Sequence, residues 1–386
     1  MSRPGIPGVR RWRSYINGPS TCASATSSTV ALPGQNGSRR QSGDPALKVY
    51  SWNNRPKVNP EDYQFIAKEN ETLVKQPQAI NGQQFIIERC RNCNIFLFDW
   101  CDTVTILDCT GCAIFVGPCK GSIFLRHCVD CTILVICQQF RTRDCRRLAA
   151  YLCCCTQPII ENTVGAKFAC LQISYNGLEV TDQLKAAKLS PFNNNWSQVH
   201  DFTPNTDDIL SSHNFSLIHD TLATAKVGLS DPESIGDVDL KANFDPCVSV
   251  IPYTMGVAPT NALHEDGEHC LVVIFAADYP QVSAVAFTKE IQNFHPSLIL
   301  INSREISLSA TDLQRILKTG VYADACKKGP VTILHYFGAE AIKICHKVSG
   351  STVNQGSKQS AYVSNSKEFV QSQIENLWNL ADMKMN

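Results

Sequence analysis

Three cysteine pairs, Cys90/Cys93, Cys109/Cys112 and Cys128/Cys131, recur with a period of 19 residues. C-x2-C pairs at such intervals are the pattern of a zinc ribbon, in which four thiolates surround the metal tetrahedrally. A second group able to do chemistry follows them: Arg126, Arg141 and Arg143, with Leu107, Phe124 and the Gln138-Gln139 dipeptide nearby. A guanidinium is permanently charged and planar, so it can clamp a carboxylate or a phosphate through parallel hydrogen bonds. Large apolar groups among arginines are the composition of an interface centre, whereas a solvated basic edge would favour Lys.

What these side chains can reach depends on the elements that carry them. Aligned on the first cysteine of each pair, position −5 is Phe85, Val104 and Ile123, and position −3 is Ile87, Ile106 and Leu125. Position +5 is Ile95, Ile114 and Ile133, and position +7 is Leu97, Val116 and Val135. Every one is apolar and alternates with mixed residues, which is the period of a strand with one buried face. Repeats this short cannot bury an apolar face alone and must stack, which predicts a parallel β-helix. A further turn, offset by 17 residues, places Phe140, Cys145, Leu148, Ala150 and Leu152 in the same inward columns. Leu148 occupies the column of the second cysteine and cannot ligate a metal, so the thiols read as small apolar core residues, with zinc as the rival. The outward columns are then Ile86, Thr105, Phe124 and Arg141 at −4, and Glu88, Leu107, Arg126 and Arg143 at −2.

The chain has 386 residues, with 35 Lys plus Arg against 35 Asp plus Glu, which argues against a nucleic-acid partner for the whole chain. Its length suggests two domains plus extras. The longest apolar runs, Leu148 to Cys155 and Cys270 to Ala277, are far shorter than the roughly 20 residues of a spanning helix. Of 19 cysteines, 13 lie between Cys90 and Cys155, and no apolar signal region precedes them, so reduced thiols in the cytoplasm are expected. Residues 1–43 hold six Arg, eight Ser and no acidic residue, the composition of a mitochondrial transit segment. Pro4, Pro7, Pro19 and Pro33 leave little room for the amphipathic helix such a segment needs, so residues 1–47 read as a disordered tail.

The polar, proline-bearing stretch 205–266 reads as a linker, and residues 267–386 as a second domain. Strand-like runs at Cys270 to Ala277, Leu298 to Ile301 and Val331 to Phe337 alternate with helices. Ser309-x-x-Asp312 opens a helix with Leu313, Ile316 and Leu317 on one face, and a terminal helix spans Phe369 to Leu380. This order predicts a ferredoxin-like α/β domain.

The run Gln138-Gln139-Phe140-Arg141-Thr142-Arg143-Asp144-Cys145 resembles the signature of the tubulin-folding cofactor C domain family. Tyr50-Ser51-Trp52, Gly117-Pro118, Thr156 to Glu161, Phe192 to Trp196 and His200 to Pro204 extend the resemblance from about residue 48. It implies a right-handed parallel β-helix over 48–204 whose outer face binds an Arf-like small GTPase in its GTP state. On this resemblance Arg141 is the catalytic residue, an arginine finger, and Gln138, Gln139, Glu161 and Phe202 contact the partner. Phe124 joins them from its outward position, and Arg143 supports the face. The protein would be a GTPase activator and not itself a hydrolase. It would need no cofactor or metal, because GTP and Mg2+ belong to the partner. The alternatives are a non-catalytic effector of the GTP-bound GTPase and a tubulin-folding cofactor with tubulin as partner. The resemblance also suggests protein trafficking at the cell membrane and ciliary base. The glycine and cysteine acylated there in the family are replaced by Ser2 and Arg3, which leaves membrane contact without that anchor. Gly329-Pro330-Val331 and Ser364-Asn365-Ser366 to Trp378 resemble nucleoside diphosphate kinases. Ser360-Ala361-Tyr362-Val363 lacks their nucleophilic histidine, so His335 and His346 read as structural and the domain as a docking unit.

Overall fold

The computed structural model describes residues 59–175, 180–204, 214–219, 242–243, 249–257, 267–275, 280–353 and 360–385. The expected tail, residues 1–47, lies outside them. A short 3-10 turn at Pro60–Tyr63 leads into a run of strands: β1 (Gln64–Ile66), β2 (Thr72–Lys75), β3 (Phe85–Glu88), β4 (Asn94–Leu97), β5 (Val104–Leu107), β6 (Ala113–Arg126), β7 (Thr132–Arg143), β8 (Ala149–Cys154), β9 (Ile159–Glu161) and β10 (Ala166–Cys170).

All of these pair in parallel and coil into a solenoid. One wall runs β1, β3, β5, β6, β7, β9. The other runs β2, β4, β6, β7, β8, β10. The long β6 and β7 belong to both, turning the corner at Pro118 and Ser122, where their register shifts. A side chain at Gly117 would put its Cβ 2.6 Å from the Asp99 carbonyl oxygen, so only glycine fits inside that bend.

The inward columns coincide with the sequence repeat: Phe85 pairs with Val104 and Val104 with Ile123, while Ile95, Ile114, Ile133, Ala150 and Phe168 stack on the second wall. These residues form one buried cluster with the paired cysteines. Each of the three C-x2-C corners, and the equivalent Cys145/Leu148 corner, is made by two left-handed residues. Arg89, Asp108, His127 and Asp144 precede the first cysteine with φ of 52, 52, 53 and 55°. Asn92, Gly111, Asp130 and Arg147 sit two residues after it with φ of 50, 65, 55 and 51°. Such a corner turns main-chain carbonyls inward, and the thiols satisfy them: Cys109 Sγ donates to the Leu107 carbonyl and Cys128 Sγ to the Arg126 carbonyl, each at 3.3 Å, and Cys93 Sγ to the Arg91 carbonyl at 3.2 Å. A small apolar residue with one weak donor suits this position better than Ala or Ser. The expected consequence is that reduced, purified protein holds far less than one zinc per chain by elemental analysis. A stoichiometric amount would mean that the thiols are ligands rather than packing residues.

β11 (Ser174–Tyr175), α1 (Val180–Ala187) and β12 (His200–Asp201) follow, and β12 adds to β9. The expected linker 205–266 is not simply a tether. Within it, β13 (Phe215–Leu217) pairs in parallel with β10, Phe215 packs edge-on against Phe168 at 6.0 Å, and β14 (Ala242–Asn243) pairs with β11. β13 covers the edge that β10 would otherwise leave open. Farther on, the Ser249 hydroxyl accepts from Ile173 N–H at 3.0 Å, and Trp196 Nε1–H donates to Thr254 Oγ1 at 3.0 Å.

The α/β region comprises β15 (Glu268–Ile274), α2 (Pro280–Phe294), β16 (Ile299–Ile306), α3 (Ala310–Leu317), α4 (Ala323–Cys326), β17 (Val331–Gly338), α5 (Ala341–Thr352), β18 (Ala361–Val363) and α6 (Lys367–Met385). Its sheet is antiparallel in the order β16-β17-β15-β18, the ferredoxin-like arrangement. Leu271, Val273 and Ile333 pack towards α3 and α6, and Val272, Leu334 and Tyr336 towards α2 and α5. Ser309 caps α3 by accepting from Asp312 N–H at 3.0 Å, as its sequence predicts. His346 lies in the middle of α5. Among the described residues, no helix is long and apolar enough to cross a membrane.

Asn193 ties its segment to the α/β sheet, Asn194 ties it to the solenoid, and Asn195 reaches both. Asn193 exchanges two hydrogen bonds with the main chain of Glu305 in β16, at 2.8 and 3.2 Å. Asn194 brackets the end of β8, accepting from Cys154 N–H at 3.0 Å and donating to the Leu152 carbonyl at 3.2 Å. Asn195 donates to the Cys155 carbonyl and accepts from the Arg304 guanidinium.

Candidate functional site

The distal half of β7 alternates buried Phe140 and Thr142 with exposed Arg141 and Arg143. The pleat alone therefore aims both arginines outward, on a strand held by neighbours on either side. Arg141 lies between Phe124 of β6 and Ile159 of β9 in the ladder, and Arg143 between Arg126 and Glu161. Arg143 Nε is 3.3 Å from Asp144 Oδ2 and 3.9 Å from Glu161 Oε1. Those solvent-screened pairs add little stability, but they direct the Arg143 side chain across the face. Arg141 has no ion-pair partner among the described residues.

Gln139 is half-buried, and its Oε1 accepts from Ser122 Oγ at 3.0 Å across the ladder. The Gln138 carbonyl accepts from both the N–H and the hydroxyl of Thr156, each at 3.0 Å. Phe202 is 59% exposed, with the His200 ring edge-on at 4.7 Å, and its N–H donates to the Ile160 carbonyl at 2.9 Å. The Phe202 ring is thus largely exposed on a backbone anchored to β9, with His200 as its ring contact.

Beside Arg141 opens a cavity of about 430 Å3, with Gln139, Thr156, Gln198, His200 and Asp382 among its walls. Gln138, Phe124, Glu161 and Phe202 are not among those walls and belong to the surrounding face. The sequence reading did not include Asn195, Gln198, His200 or Asp382 in the site. Asp382 is brought there by α6, and no local pattern announces that placement. Behind the cavity lies Arg304, fully buried; burial pulls its pKa below the ordinary value, and the charge of Asp382 opposes that shift. The arrangement offers an outward cation, a half-buried amide and a recess of mixed polarity. These can receive an anionic group presented on a protein loop.

In the α/β region, two histidines lie side by side. His335 Nε2 is 2.9 Å from His269 Nδ1, and burial, together with His269, pushes its pKa down to about 3. It is a neutral side chain packed against Trp378, with ring centroids 5.9 Å apart.

A family model for Tubulin binding cofactor C matches residues 82–202. Protein XRP2 of Xenopus laevis is 42% identical over 341 residues, covering 88% of this chain and 92% of that protein. Human Protein XRP2 is 39% identical over 351 residues, covering 90% of this chain and 95% of its own length. The chain belongs to the XRP2 family. A more distant relative, Tubulin-specific chaperone C of Bos taurus, is 29% identical over 147 residues, covering 38% of this chain and 42% of that protein. The similarity to the XRP2 family thus spans both the solenoid and the α/β region. The cofactor C match contains the whole candidate site except Asp382.

Proposed function

We propose that this chain is a GTPase-activating protein that supplies Arg141 in trans to an Arf-like small GTPase in its GTP state. The observation that carries the reading is Arg141 itself, an exposed guanidinium with no counter-ion among the described residues, on a strand fixed on both sides. Hydrolysis of GTP passes through a transition state in which charge spreads over the oxygens of the transferring phosphoryl group. The partner holds the nucleotide and Mg2+, and Arg141 enters as a preformed cation matched to those oxygens. Gln139 lies one pleat repeat before Arg141 and Gln138 precedes it, and together they orient the partner's catalytic loop. Phe124, Glu161 and Phe202 supply affinity around it, and Arg143 keeps the face in shape. The biological setting would be the trafficking of membrane or ciliary proteins.

Because Phe202 contributes contact area and no charge to the reacting centre, Phe202→Ala should weaken binding of the GTP-loaded partner about tenfold or more. The rate at saturating protein should change less than threefold. Titration of single-turnover hydrolysis separates the two effects. The second reading, a tubulin-directed cofactor, is supported by the similarity to Tubulin-specific chaperone C. Single-turnover GTP hydrolysis by an Arf-like GTPase, with and without this chain, decides between them. Stimulation supports the activator; binding to the GTP form without stimulation supports an effector; no interaction leaves the tubulin-directed reading.

A further inference from the structure

On the outward face of the solenoid, the pair that precedes Phe124 and Arg141 in the β6–β7 ladder is Ser122 and Gln139. Gln139 and Arg141 are two residues apart on β7, so the pleat places both side chains on one side of the sheet, and both line the cavity of about 430 Å3. The register between β6 and β7 shifts just before this pair and resumes at it. The bend that leads there is tight. A Cβ at Gly121 would lie 2.6 Å from the Asp102 carbonyl oxygen, which accepts from Gly121 N–H at 2.8 Å. Ser122 therefore enters β6 from a fixed main chain, directly across from Gln139.

A glutamine amide has two unlike ends, an oxygen that accepts and a nitrogen that donates twice, on a terminal torsion with a broad, roughly two-fold preference. Its neighbours decide which end faces outward. Here the Ser122 hydroxyl donates to Gln139 Oε1 at 3.0 Å, and both residues are half-buried, so the oxygen is engaged within the chain. The Gln139 amide nitrogen has no hydrogen-bond partner among the described residues, and it is not one of the unpartnered atoms that burial closes off from solvent.

We propose that Ser122 is a positioning residue for the Arg141 site: its hydroxyl holds the oxygen end of Gln139, so that the two amide N–H groups face the partner beside Arg141. The group they fit is an acceptor oxygen on the partner's catalytic loop, either a main-chain carbonyl or a side-chain amide. With the amide turned over, an oxygen would stand where the partner presents an oxygen, and the contact would be repulsive. This proposal rests on the activator reading of Arg141 and adds to it a residue that acts through Gln139.

Single-turnover GTP hydrolysis by an Arf-like GTPase, titrated with the full chain, tests the role of the hydroxyl. Ser122→Thr and Ser122→Val add side chains of the same shape, and only the first keeps a hydroxyl. Ser122→Thr should hold the rate at saturating protein within about twofold of wild type. Ser122→Val should lower that rate about threefold to tenfold, with the half-saturating concentration changed less than about twofold. In a Gln139→Ala background the two variants should differ less than about 1.5-fold, because no amide is left to position. A merely structural hydroxyl would give the same difference in both backgrounds. The proposal is overturned if Ser122→Thr and Ser122→Val match each other with Gln139 present, if their difference persists without Gln139, or if it lies in the half-saturating concentration alone. Failure of the activator reading has its own signature: wild type then gives no stimulation, and the Ser122 proposal falls with it.

Discussion

Replacing Arg141 with alanine should lower stimulated GTP hydrolysis by roughly 10³ to 10⁵ at saturating protein. Binding of the GTP-loaded partner should survive within about tenfold. The separation follows from where the side chain sits. Arg141 is exposed and makes no ion pair among the described residues, so its removal should shift the melting temperature by no more than about a degree. A guanidinium directed at charge that develops only in the transition state contributes to the rate and little to ground-state affinity. Arg141→Lys should recover only a small part of the activity, since an ammonium lacks the planar fork that meets two oxygens at once. Circular dichroism, a binding isotherm and single-turnover kinetics on the same preparations separate these effects.

The second large effect concerns the buried Arg304, whose guanidinium meets the Asn195 side-chain oxygen, donates through Nη1 to the Ser303 carbonyl at 3.0 Å, and lies 6.0 Å from the Trp378 ring centre. Its Nε has no hydrogen-bond partner, and no carboxylate pairs with it among the described residues. Asn195→Leu removes the main neutral acceptor while leaving the charge buried, and should destabilise the protein by about 3–5 kcal/mol. Arg304→Met removes the charge together with its requirement, retains much of the volume, and should be near neutral or stabilising by about 1–2 kcal/mol. The opposite signs can be read from chemical denaturation of the two variants. If Arg304→Met is as damaging as Asn195→Leu, the arginine contributes stabilisation that its contacts do not explain.

The solenoid was legible because its inward columns repeat residue types every turn. Phe85, Val104 and Ile123 sit in one register, as their spacing requires. Its ends were less legible. β1 and β2 contain no fully buried residue and β13 has only exposed and half-buried positions, so each offers just one or two core contacts (Phe65, Leu73, Phe215, Leu217), too few to show a period in the sequence. β13 also reaches β10 from within the stretch 205–266, whose polarity and proline content suggest only a tether. Within the candidate site, the outward direction of Arg141 could be read from the alternation around Phe140 and Thr142. Its assignment as catalytic came only from resemblance to a family. Asp382 and Asn195 reach the cavity through the packing of α6 and the asparagine bridge, which are tertiary facts with no local pattern. The C-x2-C pairs show the converse, since metal-like spacing arises here from two left-handed residues that recur at every corner.

The most direct test of the Arg141 assignment is the affinity of this chain for an Arf-like GTPase loaded with GDP, Mg2+ and aluminium fluoride, compared with GDP and Mg2+ alone. The fluoride complex imitates the transferring phosphoryl group, so a residue that acts on the transition state should respond to it. The account predicts that aluminium fluoride tightens binding of the wild-type chain by about 10²-fold or more, and that Arg141→Ala loses this gain while keeping its affinity for the GTP-loaded form. An equal gain in wild type and Arg141→Ala, or none in wild type, would contradict it.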